Sequence, residues 1–490
     1  MGPHLPALLV VLPLMAAPVA ALLRWRRAAW GWSLLTSWAV LAIAINLLRR
    51  VLAEGAISYQ MGGWAAPWGI EYRIDGVSAL VLLVVAGVGA VVLPFARDSV
   101  EREVEPGRIP YLYSALLLCL TGLLGITVTG DVFNLFVFLE ISSISAYALI
   151  AMGPDRRSLH AAYKYLIMGS IGATFIVIGI GMMYVMTGTL NMADLAERLP
   201  QVSSRTLSVA FAFLTVGISV KLALFPLHQW LPDAYTFAPS TVTVFLASTA
   251  TKVAVYMLVR FFFTIFGPAF SLDVMTFQWV LLPLALVGIL GPSMTAIYQM
   301  NVKRLLAYSS VAQIGYIVLG ISLASVTGLT AGLLHLFNHA LIKGALFMTM
   351  GCIMYQVGSV RIEAMTGLGR RMPWTMAAFV AGGLSLIGVP GTVGFISKWY
   401  LVLAAVERGM WLVAALVLVG SLMAVVYIWK VVEVAYFRQF VGELEVKEAP
   451  LSLLVPTWAL VVANLYFGLD ATLTTGVAGR AAELLLGVGP

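Results

Sequence analysis

The sequence predicts an all-α integral membrane protein of about 14 transmembrane helices, with the seventh and twelfth broken. Three observations carry this. Only 10% of the 490 residues are charged and 61% are hydrophobic, with a mean hydropathy of +0.97. A soluble domain carries about 25% charged residues, so a chain this poor in charge cannot cover a water-facing surface. Apolar runs of about 20 residues recur along the chain, the length that crosses the hydrocarbon core. Backbone amides in lipid must be satisfied inside their own segment, so such runs are helices.

The runs are bounded by charged or Pro/Gly-rich breaks. The first, 5–23, has no basic stretch before it and is followed by Arg24, Arg26 and Arg27, the flank of a retained helix rather than a cleaved signal peptide. The second and third runs are 30–48 and 77–96. Between them, the spacing of Ile57, Tyr59, Trp64, Trp68, Ile70, Tyr72 and Ile74 predicts an extended interfacial hairpin. The remaining spans are expected at 111–129, 131–152, 161–187, 207–230, 239–267, 277–299, 303–324, 327–356, 374–405, 410–437 and 450–472.

The seventh span, GISVKLALFPLHQWLP, contains Pro226; the twelfth, LSLIGVPGTVGFISKWYL, contains Gly388, Pro390, Gly391 and Gly394. Proline removes a backbone donor and clashes with the preceding turn, so both helices are predicted to break. Breaks in corresponding places of two halves point to a transporter built on inverted repeats. Each lies near an intramembrane lysine, Lys221 before Pro226 and Lys398 after Pro390, on opposite sides of their prolines.

The net charge of +7 does not point to nucleic acid, because the arginines stand singly or in pairs between apolar runs. They read as orientation anchors. Loops after odd-numbered spans hold about 15 basic residues and the others about 8, which places the odd loops in the cytoplasm and both termini outside. Cys119 and Cys352 lie inside apolar runs and form neither a disulfide framework nor a metal-ligand pattern.

A charge at the centre of a spanning helix costs about 2.5–3.5 kcal/mol on insertion scales. Glu140, Lys221, Lys252 and Lys398 all lie inside apolar runs. The bland alternative for each is a structural ion pair or a side chain that snorkels to the interface, which is hard for Lys252 and Glu140 so deep in their spans. Burial disfavours the charged form of a lysine and a nearby carboxylate restores it, so a Glu–Lys pair of changing separation takes up and releases protons. His335, His339 and Lys343 recur every four residues in HLFNHALIKGALFM and form one polar stripe suited to a proton relay. The alternatives are a structural hydrogen-bond role and a zinc pair. No third ligand lies nearby in sequence, and Lys343 repels a metal. His228, just after Pro226, is either a path residue or a helix-end partner. Asp233 is read as a helix cap or water-facing. Lys303 and Arg304 read first as cytoplasmic anchors, although Lys303, with Gln313, Ser309 and Ser310, is placed to continue a polar line inward.

These residues resemble a known family, the antiporter-like subunits shared by Mrp-type multisubunit Na+/H+ antiporters, respiratory complex I and membrane-bound hydrogenases. GDVFNLFVFLE at 130–140, VKLALFPLHQWLPDAYTFAPS at 220–240 with STATKVAVY at 248–256, and HLFNHALIKGALF at 335–347 carry the resemblance. NVKRLLAYSSVAQIGY at 301–316 and GFISKWY at 394–400 support it. It implies 14 helices with two inverted five-helix repeats, at 111–267 and 268–440, between an N-terminal unit 1–110 and a C-terminal unit 441–490. It also implies that Glu140 and Lys221 are the coupled pair of the first half-channel. Lys252 is then the central link, the His335–His339 region the bridge, and Lys398 the proton site of the second half. FNLFVFLE, Lys398 and a C-terminus of about 20 residues look most like the D-type subunits of the Mrp group. His228 departs from that pattern and looks closer to complex I or hydrogenase relatives.

The expected function is proton translocation in a Na+/proton antiporter complex with other integral membrane subunits, in a bacterial or archaeal cell membrane. The competing readings are a proton-pumping subunit of a redox complex and a structural scaffold. The sequence carries no Cys cluster, Rossmann glycine pattern or haem motif, so no cofactor and no redox chemistry of its own are expected. No carboxylate-rich cage for sodium is apparent.

Overall fold

The structure, a computed structural model, describes residues 4–202, 204–439 and 446–488. The expected unit boundary at 440–441 lies outside the described residues. The helices are α1 (Leu5–Leu22), α2 (Arg26–Glu54), α3 (Gly76–Glu103), α4 (Ile109–Val128), α5 (Val132–Ala151), α6 (Arg157–Thr187), α7 (Met192–Arg198), α8 (Arg205–Leu222), α9 (Leu231–Phe237) and α10 (Ser240–Val259). They continue with α11 (Gln278–Ile297), α12 (Val302–Ser322), α13 (Val326–Val357), α14 (Leu368–Arg371), α15 (Pro373–Ile387), α16 (Val393–Glu407), α17 (Trp411–Phe437), α18 (Leu451–Leu469) and α19 (Thr472–Leu486). Among the described residues, 13 helices are long and apolar enough to cross a membrane. The remaining expected span is the pair α15 and α16, each too short alone and joined through the glycine-rich break. The chain is a multi-pass, nearly all-helical membrane protein.

The expected hairpin is present. β1 (Ile57–Gln60) pairs antiparallel with β2 (Glu71–Ile74), Ile57 opposite Ile74 and Tyr59 opposite Tyr72. Trp64 and Trp68 stand exposed at its tip, as interfacial aromatics do. The spans are longer than the apolar runs, because charged ends extend past the hydrocarbon core: α2 reaches Glu54 and α3 reaches Glu103. The seventh span also ends later than expected, continuing as α9. Pro232 sits in the first turn of α9, where a missing N–H leaves nothing unpaired.

Burial sorts the helices. The windows of α10 and α12 are 94% buried, whereas those of α1, α6, α11 and α17 are 39% buried. The polar residues singled out from sequence lie largely on the central helices, where other helices rather than lipid surround them. One backbone device recurs. Val132 N donates to Leu190 O (2.9 Å) and Met192 N to Gly130 O (2.8 Å), tying the start of α5 to the segment after α6. Val302 N donates to Val360 O (2.9 Å) and Ile362 N to Met300 O (2.9 Å), tying the start of α12 to the segment after α13 in the same way. All four partners shift by the same number of residues. Asp131 and Asn301 cap the two tied helices, accepting from Asn134 N and Arg304 N.

Candidate functional site

The first break ends α8 at Leu222, and Ala223 turns into the left-handed region at φ 59°. The segment then passes through a cis Phe225–Pro226 bond before α9. Trp230 Nε1 donates to Val220 O (2.9 Å), whose i+4 donor, Leu224 N, bonds Ser219 O instead. Lys221 lies in the last turn of α8 and is buried. Its Nζ donates to Ser143 Oγ (2.8 Å) and reaches Tyr147 OH (3.4 Å), both on α5. Glu140 is three residues before Ser143 on the same face of α5. It is half-buried, makes no ion pair within 4.0 Å among the described residues, and its Oε1 is buried without a hydrogen-bond partner. The structure therefore brings Glu140 and Lys221 to one seam without joining them. A cavity of about 30 Å³ beside Lys221, lined also by Ser142, Ser143 and Tyr165, has room for a water.

The second break is built differently. Gly388 and Gly391 take φ of 95° and 85°, which L side chains rarely adopt. Pro390 stands four residues after Leu386 and has no N–H to give its carbonyl. Lys398, one turn into α16, supplies the donors instead: Nζ bonds Leu386 O (3.0 Å), Ile387 O (2.9 Å) and Ser421 Oγ (3.0 Å). Its ammonium also lies 4.8 Å from the Tyr316 ring centroid. Although the two lysines flank their prolines on opposite sides in sequence, each ends beside its break. Gly394 lets the half-helices touch, since a Cβ there falls 1.7 Å from Ser385 O. Gly394→Ala is expected to force α15 and α16 apart at a cost of about 1–3 kcal/mol, read as a lower melting midpoint of the purified protein. An unchanged midpoint would show that the halves do not meet there.

Between the breaks runs a polar row on α13. His335 and His339 stack with centroids 6.2 Å apart. His335 Nδ1 meets Ser397 Oγ (2.8 Å) and Nε2 meets Gln313 Oε1 (2.9 Å). Tyr316 lies 5.7 Å from His335, between it and Lys398. Both nitrogens of His339 are buried without a partner. Lys343 donates to Leu306 O (2.9 Å) and to Ser309 Oγ of α12. Lys252 of α10 donates to Ala247 O and reaches Thr251 Oγ1 (3.4 Å). His335, His339 and Lys343 thus share one face of α13, with Gln313 on His335 and Tyr316 between His335 and Lys398.

Other residues fall elsewhere. Lys303 is 1% exposed and donates to Ala238 O (3.4 Å), so its reading as a water-facing anchor is corrected: the first turn of α12 is already inside the bundle. Arg304 stays half-exposed. Asp233 is neither a cap nor simply water-facing: it pairs with Lys164 of α6 (2.9 Å) and Arg304 (3.5 Å). His228 stacks on Phe225 (5.2 Å), edges Tyr308 (6.4 Å), and has Nδ1 buried without a partner. It lies apart from the α13 row.

Sequence reading missed a second ion pair. Arg260, 5% exposed just past the end of α10, pairs with Asp75, the N-cap of α3. Burial alone pushes the Asp75 carboxyl up, but Arg260 beside it and the Ser78 amide outweigh this and hold it below the usual carboxylate range. An arginine among the apolar residues VYMLVRFFFTIF was the available signal.

The family model described as NADH:quinone oxidoreductase/Mrp antiporter, TM, matches residues 129–424, which hold both breaks and the whole α13 row. The chain belongs to this family. Among relatives, it is 42% identical to NADH-quinone oxidoreductase subunit N of Desulforudis audaxviator, over 96% of each chain. It is 31% identical to the D-type subunit of a Na(+)/H(+) antiporter of Alkalihalophilus pseudofirmus, over 88% of this chain and 87% of the relative. A chain of the membrane-bound sulfane sulfur reductase, an archaeal respiratory membrane complex, superposes with a TM-score of 0.91 at 32% identity, over 99% of this chain and 98% of that one. The matched region contains Glu140, Lys221, Lys252, His335, His339, Lys343 and Lys398.

Proposed function

We propose that this chain is the proton-translocating membrane subunit of a multisubunit Na+/proton antiporter, carrying protons along Glu140, Lys221, Lys252, His339, His335 and Lys398. The buried lysines and histidines on α10, α13 and α16, with His335 tied to Gln313 and Ser397 and Lys398 held by neutral oxygens, support this best. Amines and imidazoles bind protons. A hard metal cation takes oxygen ligands and is repelled by ammonium groups, so sodium does not follow this row. Its exchange belongs to the assembled complex with other membrane subunits. Gln313 and Lys343 line the row, and His228 and Lys303 are further candidate path residues. The repeated backbone tie at α5 and α12 supports two five-helix repeats, 111–267 and 268–440. An odd number of spans separates the ties, which inverts one repeat against the other. The Lys/Arg distribution supports termini on the outer side of a bacterial or archaeal membrane.

A second reading, a subunit of a redox-driven proton pump, is favoured by the 42% identity to a relative named as a subunit of NADH-quinone oxidoreductase. Inverted vesicles holding the assembled complex test both. Sodium-dependent proton flux that Lys221→Ala and Glu140→Ala each reduce by about 100-fold or more, at equal assembly, supports the antiporter. Flux that needs a redox donor and ignores sodium supports the pump. Wild-type flux in both variants would overturn the proton path.

A further inference from the structure

The hairpin side of the bundle holds a cavity of about 520 Å³, lined by Glu71, Arg73, Asp75, Glu197, Tyr256 and Arg260 among others. Its lining includes no residue of either break. The Asp75–Arg260 pair forms part of its wall. The Arg260 guanidinium also donates to Ser78 Oγ (2.9 Å) and Thr264 Oγ1 (3.3 Å), and its carbon lies 5.0 Å from the Tyr256 ring centroid. Tyr256 is 1% exposed. Its OH donates to Thr127 O (2.9 Å) and lies 3.1 Å from Ser78 Oγ. Lys252, Tyr256 and Arg260 follow one another at four-residue steps and form one stripe on α10 and its continuation. Each step is about 6 Å along the axis.

Resting on the proton-path reading, we propose that this cavity is the hairpin-side mouth of the path, that Tyr256 links it to Lys252, and that the Asp75–Arg260 pair gates it against metal cations. Under the orientation proposed above, the mouth opens to the outside. The chemistry separates the two ions. A proton crosses by hopping between hydroxyls and water, and the Ser78–Tyr256 pair offers that route without any ion shedding its hydration shell. Sodium must exchange its waters for oxygen ligands, and the Asp75 carboxylate in the wall is already taken by the Arg260 guanidinium, which keeps its charge at any physiological pH. Tyr256 therefore acts as a relay, and Arg260 as a positioning and selectivity residue held in place by Asp75.

Vesicles containing the whole complex test this with two readouts, proton flux and passive influx of radioactive sodium. Tyr256→Phe is expected to cut proton flux by about 10-fold or more while leaving vesicles sodium-tight. The double variant Asp75→Asn/Arg260→Gln keeps hydrogen-bonding capacity but removes the fixed charge, and is expected to gain a sodium leak absent from wild type. Arg260→Lys should keep the vesicles tight, a rescue that a purely structural role in packing does not predict. If Tyr256→Phe pumps as wild type and the double variant stays tight while Lys221→Ala is dead, the mouth is elsewhere and this inference falls, with the proton path intact. If Lys221→Ala is itself unimpaired, the path reading fails and the gate with it. Should the double variant not assemble, Tyr256→Phe, which deletes one oxygen, decides alone.

Discussion

Lys252→Met is expected to reduce proton flux by about 100-fold or more while leaving the complex assembled and no less heat-stable than wild type. The two halves of that expectation have separate causes. Lys252 is fully buried, and among the described residues no carboxylate lies within 4.0 Å of it. Its ammonium is met by Ala247 O, which also belongs to the α10 ladder, and by a Thr251 hydroxyl at 3.4 Å. Holding a charge there costs about 2.5–3.5 kcal/mol on insertion scales. Methionine fills nearly the same volume with no charge to desolvate, and such replacements of buried charges are often neutral or stabilising. A residue retained for packing has no reason to be lysine at this place; a residue that accepts and releases a proton does. Flux in membrane vesicles and a melting curve on the same preparation check both halves. Full flux in Lys252→Met would remove Lys252 from the path, and lost assembly would favour the scaffold reading.

The span pattern was legible because lipid makes one demand of every segment, length and apolarity, which needs no partner to be recognised. Lys221, Lys252, Lys343 and Lys398 were legible for the same reason: each is a charge surrounded in sequence by apolar residues. The breaks followed from Pro226 and Pro390, whose missing N–H acts locally. What sequence misplaced sits near helix ends. Lys303 follows the cap Asn301 by two residues, a place where lysine usually faces water, and only the packing of Ala238 over it reveals burial. Asp75 and Arg260 lie 185 positions apart, each at the margin of its span, and nothing local pairs them. Lys164 and Asp233 are likewise joined across 69 positions. The donors for the carbonyls freed at the second break come from Lys398, eleven and twelve residues onward, beyond the reach of a helical ladder.

That last contact makes Lys398 behave unlike Lys252. Lys398→Met is expected to lose both flux and stability, because Leu386 O and Ile387 O then face the bundle without donors. Pro390 has no N–H for Leu386 O, and each unsatisfied buried carbonyl costs about 1–3 kcal/mol. The melting midpoint should therefore fall in Lys398→Met and hold in Lys252→Met, although both remove one buried ammonium. Lys398→Arg separates the two roles. A guanidinium still donates to the carbonyls and to Ser421 Oγ, so stability should be largely restored, but arginine does not release its proton under physiological conditions. Proton flux in Lys398→Arg should stay about 100-fold or more below wild type despite a recovered melting midpoint. If flux recovers with the midpoint, Lys398 acts as a fixed charge that braces the broken helix, and the terminal proton site of the row must be sought at Ser421, Tyr316 or a water they hold.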